Sequence, residues 1–266
     1  MRYKLKPRHP FHILLTSTYP KFSNLKCTLP ALQAVMFNQQ DIENKIKLSA
    51  WWHKAGLTID CHYCNTSGVM LTHHLQSVCN NIDTIFKQPE TGFYGALFAL
   101  LNQLEIDKAA IKDELKIVAL LHDIGKIADD KSQVIPHPLT GKPAHKRHGV
   151  VSLVAAIEIL ANDLEDLPPQ RNHIYRTIEL HDMSYGLYRE HQASSATPPF
   201  ERWNYINNKI DRRPAVGLLY LLIFKLADIH GHANIADVLW FYNSVKENYF
   251  NPLKINLPVP AETDIR

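Results

Sequence analysis

Residues 111–126 read IKDELKIVALLHDIGK, and this stretch decides the fold of the chain. From Ile111 onward, apolar residues recur at steps of four and three, which places them on one face of an α-helix. His122 continues that face, Asp123 follows it directly, and Gly125 suits the end of a helix. The stretch therefore predicts an amphipathic helix that carries a histidine and an aspartate into the protein interior.

The same helical periodicity extends along most of the chain. It predicts helices over residues 31–48, 70–87, 93–105, 109–123, 148–164, 170–182, 199–209, 214–230 and 233–249. The sequence has no alternation of strands and helices, which argues against a parallel sheet. The segment 124–147 lacks periodicity and contains several prolines, so we expect a long loop at the rim of a site. We therefore predict an all-α helical bundle.

The 266 residues are expected to divide into three parts. Residues 1–60 form a small N-terminal appendage that is irregular or extended at its start, where prolines recur. Residues 61–250 form the helical domain, and residues 251–266 form a C-terminal tail. The longest apolar runs, such as 216–224, fall short of the roughly 20 residues that a membrane span needs. This pattern favours a cytoplasmic protein that does not contact a membrane.

Basic charge is concentrated at the N-terminus. The whole chain has a net charge of +3, but its first 40 residues contain six basic residues and no acidic one, which leaves −3 for the remainder. The appendage is therefore basic, and such an arm either binds nucleic acid or is simply solvated.

Histidine is unusually frequent, with 15 in the chain, and several histidines fall on inward faces of the predicted helices. His74 flanks the apolar face of its helix, whereas His73 points about 100° away from it. His148 precedes a face of small residues, His181 shares a face with two isoleucines, and Asp228 lies in a helix that is apolar almost all round. A lone buried histidine is more often hydrogen-bonded than metal-bound. Buried carboxylates need a partner or a metal, so these residues together predict a site for divalent cations.

The order of these residues resembles that of the HD-domain superfamily of metal-dependent phosphohydrolases. The resemblance runs from about residue 70 to residue 232. It includes His-Asp-Ile-Gly-Lys at 122–126, a first motif at 71–78 that selects His74, and the closing motif Leu226-Ala227-Asp228. An HD-type helical bundle with the metal site at its centre is the fold that this resemblance implies.

Two metal positions follow from the resemblance. The first would be held by His74, His122, Asp123 and Asp228, and the second by Asp123, His148 and His181. Histidine and carboxylate ligands suit Mn, Ni, Co, Fe or Zn, with Mg as a further candidate, and the metals would activate water against a phosphate ester. Several two-metal members carry two adjacent histidines where this chain has His181-Asp182, so a single-metal site also stays open.

Asp123 and Lys126 are the residues that the resemblance marks as catalytic. Lys126 would contact the phosphate as a point charge, and a lysine that satisfies carbonyls at a helix end is the alternative. Weaker candidates for binding an anionic substrate are Lys142, Arg147 and Arg212. Cys61 and Cys64 have the spacing of a zinc knuckle but lack partners at an orthodox spacing, so ordinary packing is the simpler interpretation.

Three functions stay open on the sequence alone. The leading hypothesis is an enzyme that hydrolyses a phosphorylated small molecule, such as a nucleotide, or another phosphodiester. The second is a nuclease of the CRISPR-associated HD type that acts on single-stranded nucleic acid. The basic arm favours this nuclease, although no basic strip interleaved with aromatic residues is present. The third is a module that senses metal or nucleotide without catalysis. The oligomeric state stays open for all three.

Overall fold

The computed structural model describes residues 38–60, 69–127, 134–136, 143–229 and 235–265. Helices account for most of this part of the chain, which confirms the predicted all-α fold. The α-helices are α1 (Gln39–Leu48), α2 (Ala50–Ala55), α3 (Leu71–Phe86), α4 (Gly92–Gln103), α5 (Lys108–Leu121), α6 (His148–Leu164), α7 (Pro168–Leu180), α8 (Met183–Ser194), α9 (Phe200–Ile210), α10 (Val216–Ile229), α11 (Ala236–Val245) and α12 (Glu262–Ile265). A 3-10 turn covers Ile124–Ile127, and a π-helical turn covers Lys246–Phe250.

Helix α5 lies at the centre of the bundle. Its start is capped by Asp107, whose carboxylate accepts hydrogen bonds from the backbone N–H groups of Ala109 and Ala110. The apolar face predicted from Ile111 onward is fully buried, and α3, α7 and α10 pack around it. The helix ends at Leu121, so the His-Asp pair that follows projects from its end.

Helix α10 is the most buried helix of the bundle, as its apolar sequence predicts. Nearly all its residues are buried, and it contacts α3, α5, α7, α9 and α11. Its two charged residues, Lys225 and Asp228, pair with each other, with 3.0 Å between Nζ and Oδ2. Because α10 is buried on nearly all sides, the side chain of Asp228 lies largely inside the bundle.

Several elements were not predicted as such, namely α2, α8, α12 and two short strands. Helix α8 buries only Ser184 and Leu187, so its sequence lacks the long apolar stripe by which a helix is recognised. Within the segment predicted as a loop, β1 (Val134–Pro136) pairs antiparallel with β2 (Pro143–His145). This short pairing brings the chain back toward the start of α6.

The core also includes residues on the far sides of the predicted boundaries at 60 and 250. Helices α1 and α2 bury Ile46 and Ala55 and pack against α5, α6 and the 3-10 turn, within one compact unit. In the predicted tail, Leu257 is buried, and the backbone carbonyl of Asp264 accepts a 2.7 Å hydrogen bond from the Tyr94 hydroxyl. The division into three parts itself stays a prediction.

Several sequence predictions lie outside the described residues. These are the basic residues of the N-terminal arm, the cysteines Cys27, Cys61 and Cys64, and Lys142. The remaining cysteine, Cys79, is a buried free thiol in α3. Among the described helices, none combines the length and the apolar character that crossing a membrane requires.

Candidate metal centre

The six predicted metal ligands meet in the middle of the bundle. His74 lies in α3, and Asp228 lies in α10. The other four stand at helix ends: His122 and Asp123 directly follow α5, His148 opens α6, and His181 directly follows α7. All six are buried except Asp228, whose side chain is 14% exposed.

One half of the centre consists of His74, His122 and Asp123, whose ligand atoms could hold a metal ion. The Nε2 atoms of the two histidines are 3.3 Å apart, and Asp123 Oδ2 lies 3.3 Å and 3.4 Å from them. Asp228 Oδ1 approaches the same pair, at 3.4 Å from His122 Nε2. These atoms surround one position on the α3 side of the centre.

The other half consists of Asp123, His148 and His181, which could also hold a metal ion. The Nε2 atoms of these two histidines are 3.0 Å apart, and Asp123 Oδ1 lies 3.0 Å from His148 and 3.4 Å from His181. Asp123 therefore turns one carboxylate oxygen to each histidine pair. A single carboxylate links two neighbouring cation positions.

Backbone carbonyls determine which ring nitrogen of three histidines carries the proton. The Nδ1–H groups of His122, His148 and His181 donate to the carbonyls of Ala119, His145 and Ile178 at 2.8–2.9 Å. A carbonyl only accepts, so each neutral ring presents the lone pair of Nε2 toward the centre. Metal-binding histidines are oriented in the same way in proteins.

These lone pairs face other acceptors. His148 Nε2 opposes His181 Nε2, and both oppose Asp123 Oδ1, which is buried and accepts no hydrogen bond from the described residues. Acceptors that face one another at about 3 Å repel unless a cation lies among them. The residues therefore fit a metal ion, and a proton is the alternative when none is bound.

The charges of the centre also favour a cation. Burial disfavours a charged His122, but the carboxylates of Asp123 and Asp228 outweigh it and raise the pKa of this histidine to about 10. Burial likewise opposes the ionisation of Asp123, yet Lys126 and His122 hold the pKa of this carboxyl well below its usual range. Against burial, Lys225 likewise lowers the pKa of Asp228, so both aspartates are ionised at neutral pH, as metal ligands must be, whereas His122 must give up a proton when a metal binds.

Two glycines allow the helix ends to come together. A Cβ on Gly125 would lie 2.5 Å from the carbonyl oxygen of His148 and 2.6 Å from the backbone nitrogen of Ser152. A Cβ on Gly149 would lie 2.9 Å from the carbonyl oxygen of Glu179. Gly125 is therefore needed for the close approach of the 3-10 turn to α6, rather than for ending α5 as its sequence position suggested.

Lys126 lies beside the centre and not at its exposed edge. Its Nζ is 2.5 Å from Asp123 Oδ2 and 3.8 Å from Asp60 Oδ1, and the side chain is 5% exposed. Asp60 is a buried residue that the sequence analysis missed, and it also approaches His74, with 3.9 Å between Oδ2 and Nδ1. No local pattern marks it, because Asp60 is held there by backbone pairing with Val69.

The predicted substrate contacts are separated by the fold. Arg147 is exposed and adjoins His148, and its backbone is left-handed with φ of 55°. Arg212 is exposed in the turn before α10, whereas Asp228 lies near the other end of that helix, about 20 Å along its axis. Arg212 is therefore not brought to the metal centre. Asp182 is exposed at the N-cap position of α8, where its side chain makes no capping hydrogen bond, and it belongs to neither ligand group.

Comparison with protein-family models, with curated proteins and with solved structures finds no match for this chain. The class of site is therefore defined by its own geometry. It is a buried histidine–aspartate centre with two neighbouring positions that could hold metal ions.

Proposed function

We propose that this protein is a metal-dependent phosphohydrolase related to the HD-domain superfamily, and that it cleaves a phosphate ester. The observation that carries the proposal is the sharing of Asp123 between two histidine pairs, each with its Nε2 atoms 3.0–3.3 Å apart. Two divalent cations held side by side supply an acidified water and a clamp for the phosphoryl oxygens.

Six residues of the chain would bind the two cations. His74, His122 and Asp228 would hold one cation, and His148 and His181 would hold the other. Asp123 would hold the two cations together through its two oxygens. This mixture of imidazole and carboxylate ligands suits Mn, Fe, Co, Ni or Zn better than Ca, with Mg as a further candidate.

Lys126 supports the proposal in a second way. Its ammonium lies within hydrogen-bond distance of the shared carboxylate, so it would supply a fixed positive charge to a phosphate bound there. It would stay protonated and take no part in proton transfer. Its task is to stabilise the negative charge that develops on the phosphoryl oxygens.

The first test is hydrolysis of bis-p-nitrophenyl phosphate and p-nitrophenyl phosphate by protein that has been stripped of metal and reloaded with Mn, Ni, Co, Mg or Zn. We expect metal-dependent release of nitrophenol. Nucleotides and single-stranded DNA and RNA follow as natural substrate classes, since phosphorylated small molecules and nucleic acids share the scissile bond. A steep loss of binding with added salt would identify the nucleic acid.

Asp123→Ala is the decisive variant. It removes the ligand shared by both positions, so we expect metal binding and turnover to be lost together. Asp166→Asn is the matched control, because Asp166 is exposed in the turn between α6 and α7. Retained turnover in Asp123→Ala would contradict the proposed function. Metal binding without turnover on any ester would instead identify a sensing module.

A further inference from the structure

A second buried polar cluster lies in the bundle, apart from the candidate metal centre. His173 of α7 donates from Nδ1 to Glu114 Oε2 of α5 at 2.8 Å, and from Nε2 to Asp211 Oδ2 at 2.9 Å. Tyr220 of α10 donates its hydroxyl to the same Glu114 oxygen at 2.6 Å, and its ring lies against the His173 ring. We call these four residues the Glu114–His173 network.

The network is closed and neutral. Carboxylates only accept hydrogen bonds, so both ring nitrogens of His173 carry hydrogen and the ring is charged. Arg213 pairs with Asp211 at 2.7 Å, so two cations balance two carboxylates. Burial opposes a charged His173, but Glu114 and Asp211 outweigh it and raise the pKa of the histidine. A buried network whose members are all satisfied favours one arrangement of its elements.

Residues of the Glu114–His173 network precede predicted metal ligands by a constant spacing in the sequence. Three of its residues lie on helices that lead to predicted metal ligands, and each precedes that ligand by eight positions. The pairs are Glu114 and His122, His173 and His181, and Tyr220 and Asp228. Eight residues of α-helix rise about 12 Å. The network is therefore a second polar layer, about two turns before the ligands on three separate helices.

We infer that the Glu114–His173 network positions the metal centre by holding α5, α7 and α10 at the relative heights at which their ligands converge. A shift of one helix by one residue is about 1.5 Å along its axis, which hydrogen bonds of 2.6–2.9 Å do not tolerate. Apolar packing alone specifies such heights less sharply than a satisfied polar network. This inference rests on the proposed metal centre, and it makes His173 a positioning residue.

The test is metal affinity, measured by calorimetric titration of Mn²⁺ into stripped full-length protein. In His173→Gln, the buried Glu114 and the half-buried Asp211 lose the cation between them, and we expect the Kd to rise about tenfold, within the range by which residues remote from a site change its affinity. Tyr220→Phe keeps the ring and removes one hydrogen bond, so it folds and raises the Kd less. The double variant His173→Gln/Glu114→Gln restores neutrality and should recover most of the lost affinity.

Ile206→Ala is the control for lost stability alone. Ile206 is buried in α9, a helix that carries no predicted ligand, so this variant should melt at a lower temperature with the Kd unchanged. Co²⁺ absorption bands should shift in His173→Gln and not in the control. An unchanged Kd in both His173→Gln and Tyr220→Phe would overturn the positioning role alone. A wild-type protein that binds no metal would overturn the proposed function as well.

Discussion

The position of Lys126 beside Asp123 limits the roles that this lysine could have in catalysis. The resemblance marks it as a phosphate contact, and its ammonium lies 2.5 Å from the oxygen of Asp123 that faces His74 and His122. A charge in this place acts on whatever anion approaches the shared carboxylate. Its effect should therefore appear in turnover more than in metal content.

We expect Lys126→Met to lower kcat by about a hundredfold, the usual scale for removing one electrostatic contact to a reacting group. The isosteric alkyl chain preserves packing, and the histidines still hold the metal. Turnover and metal content are measured on the same preparation. Loss of metal in this variant would show that the lysine organises the carboxylate rather than the substrate.

Individual ligands were predictable where helical phase decides them. Phase separates His74, which is 4% exposed, from its exposed neighbour His73. Asp60 could not be predicted, because its place depends on backbone pairing with Val69 across a short intervening segment and on no periodic pattern. Glu114 could not be predicted either, because its sequence position shows only that it adjoins the buried face of α5.

At the scale of elements, the contact between the 3-10 turn and α6 is the tightest constraint on the centre. The backbone at Gly125 meets α6 too closely for any side chain, and its N–H donates to Ser152 Oγ at 2.8 Å. A methyl group there must push the turn and α6 apart, which separates Asp123 from His148.

We therefore expect Gly125→Ala to abolish metal binding and to lower the free energy of unfolding by about 1–3 kcal/mol, the cost of overpacking. Gly186→Ala is the matched control, because a Cβ at this position of α8 meets nothing within 4 Å. The control should bind metal normally and be stabilised by up to about 1 kcal/mol through helix propensity. Equal metal binding by the two variants would refute this account of Gly125.

The Glu114–His173 network makes a pH-dependent link between α5, α7 and the turn before α10. The pKa of His173 is higher in the folded protein than in the unfolded chain, so its stabilising contribution is complete below the unfolded value of about 6.5. The contribution is lost as pH rises through the folded pKa, when only one ring nitrogen can still donate.

The difference in unfolding free energy between wild type and His173→Gln should accordingly shrink over a pH window that starts at about 6.5 and runs through the raised pKa of His173. Urea denaturation of metal-free protein at several pH values in this window measures it. Comparing two variants cancels the titration of groups elsewhere. A difference that stays constant across the window would mean that His173 is not charged in the folded protein.

For the whole molecule, a bound metal would join segments from five helices. Ligand binding to the native state alone raises stability by about 2.7 kcal/mol when the free metal is at a hundred times its Kd. For a domain of this size that corresponds to a rise in Tm of about 5–10 °C. Thermal melting with and without Mn²⁺ at neutral pH measures the rise.

The rise in Tm should shrink as the pH falls from about 10, through the pKa of His122, because this histidine must lose its proton to bind the metal. Asp123→Ala serves as the reference that shows no rise at any pH. A rise of the same size in that variant would mean that the metal binds elsewhere.

The all-α architecture of the described residues could be predicted because most long helices are marked in the sequence, by an apolar period as in α3 and α5 or by a nearly continuous apolar run as in α10. The meeting of the six predicted ligands in one place could not be derived from those periods. It came from the resemblance in residue order, and the structure supplies the distances. The separation of Arg212 from the centre could not be predicted either, because a helical wheel does not show which end of a helix meets a neighbouring helix.

The wide spread of the ligands along the chain has a consequence for folding kinetics. His74 and Asp228 are 154 positions apart, and closing such a loop in the unfolded chain costs entropy that a few coordinate bonds must first overcome. The two residues become neighbours only after α3, α5 and α10 have docked. Metal should therefore leave the refolding rate unchanged and slow unfolding instead, so that it preserves the native protein once formed and does not direct its folding.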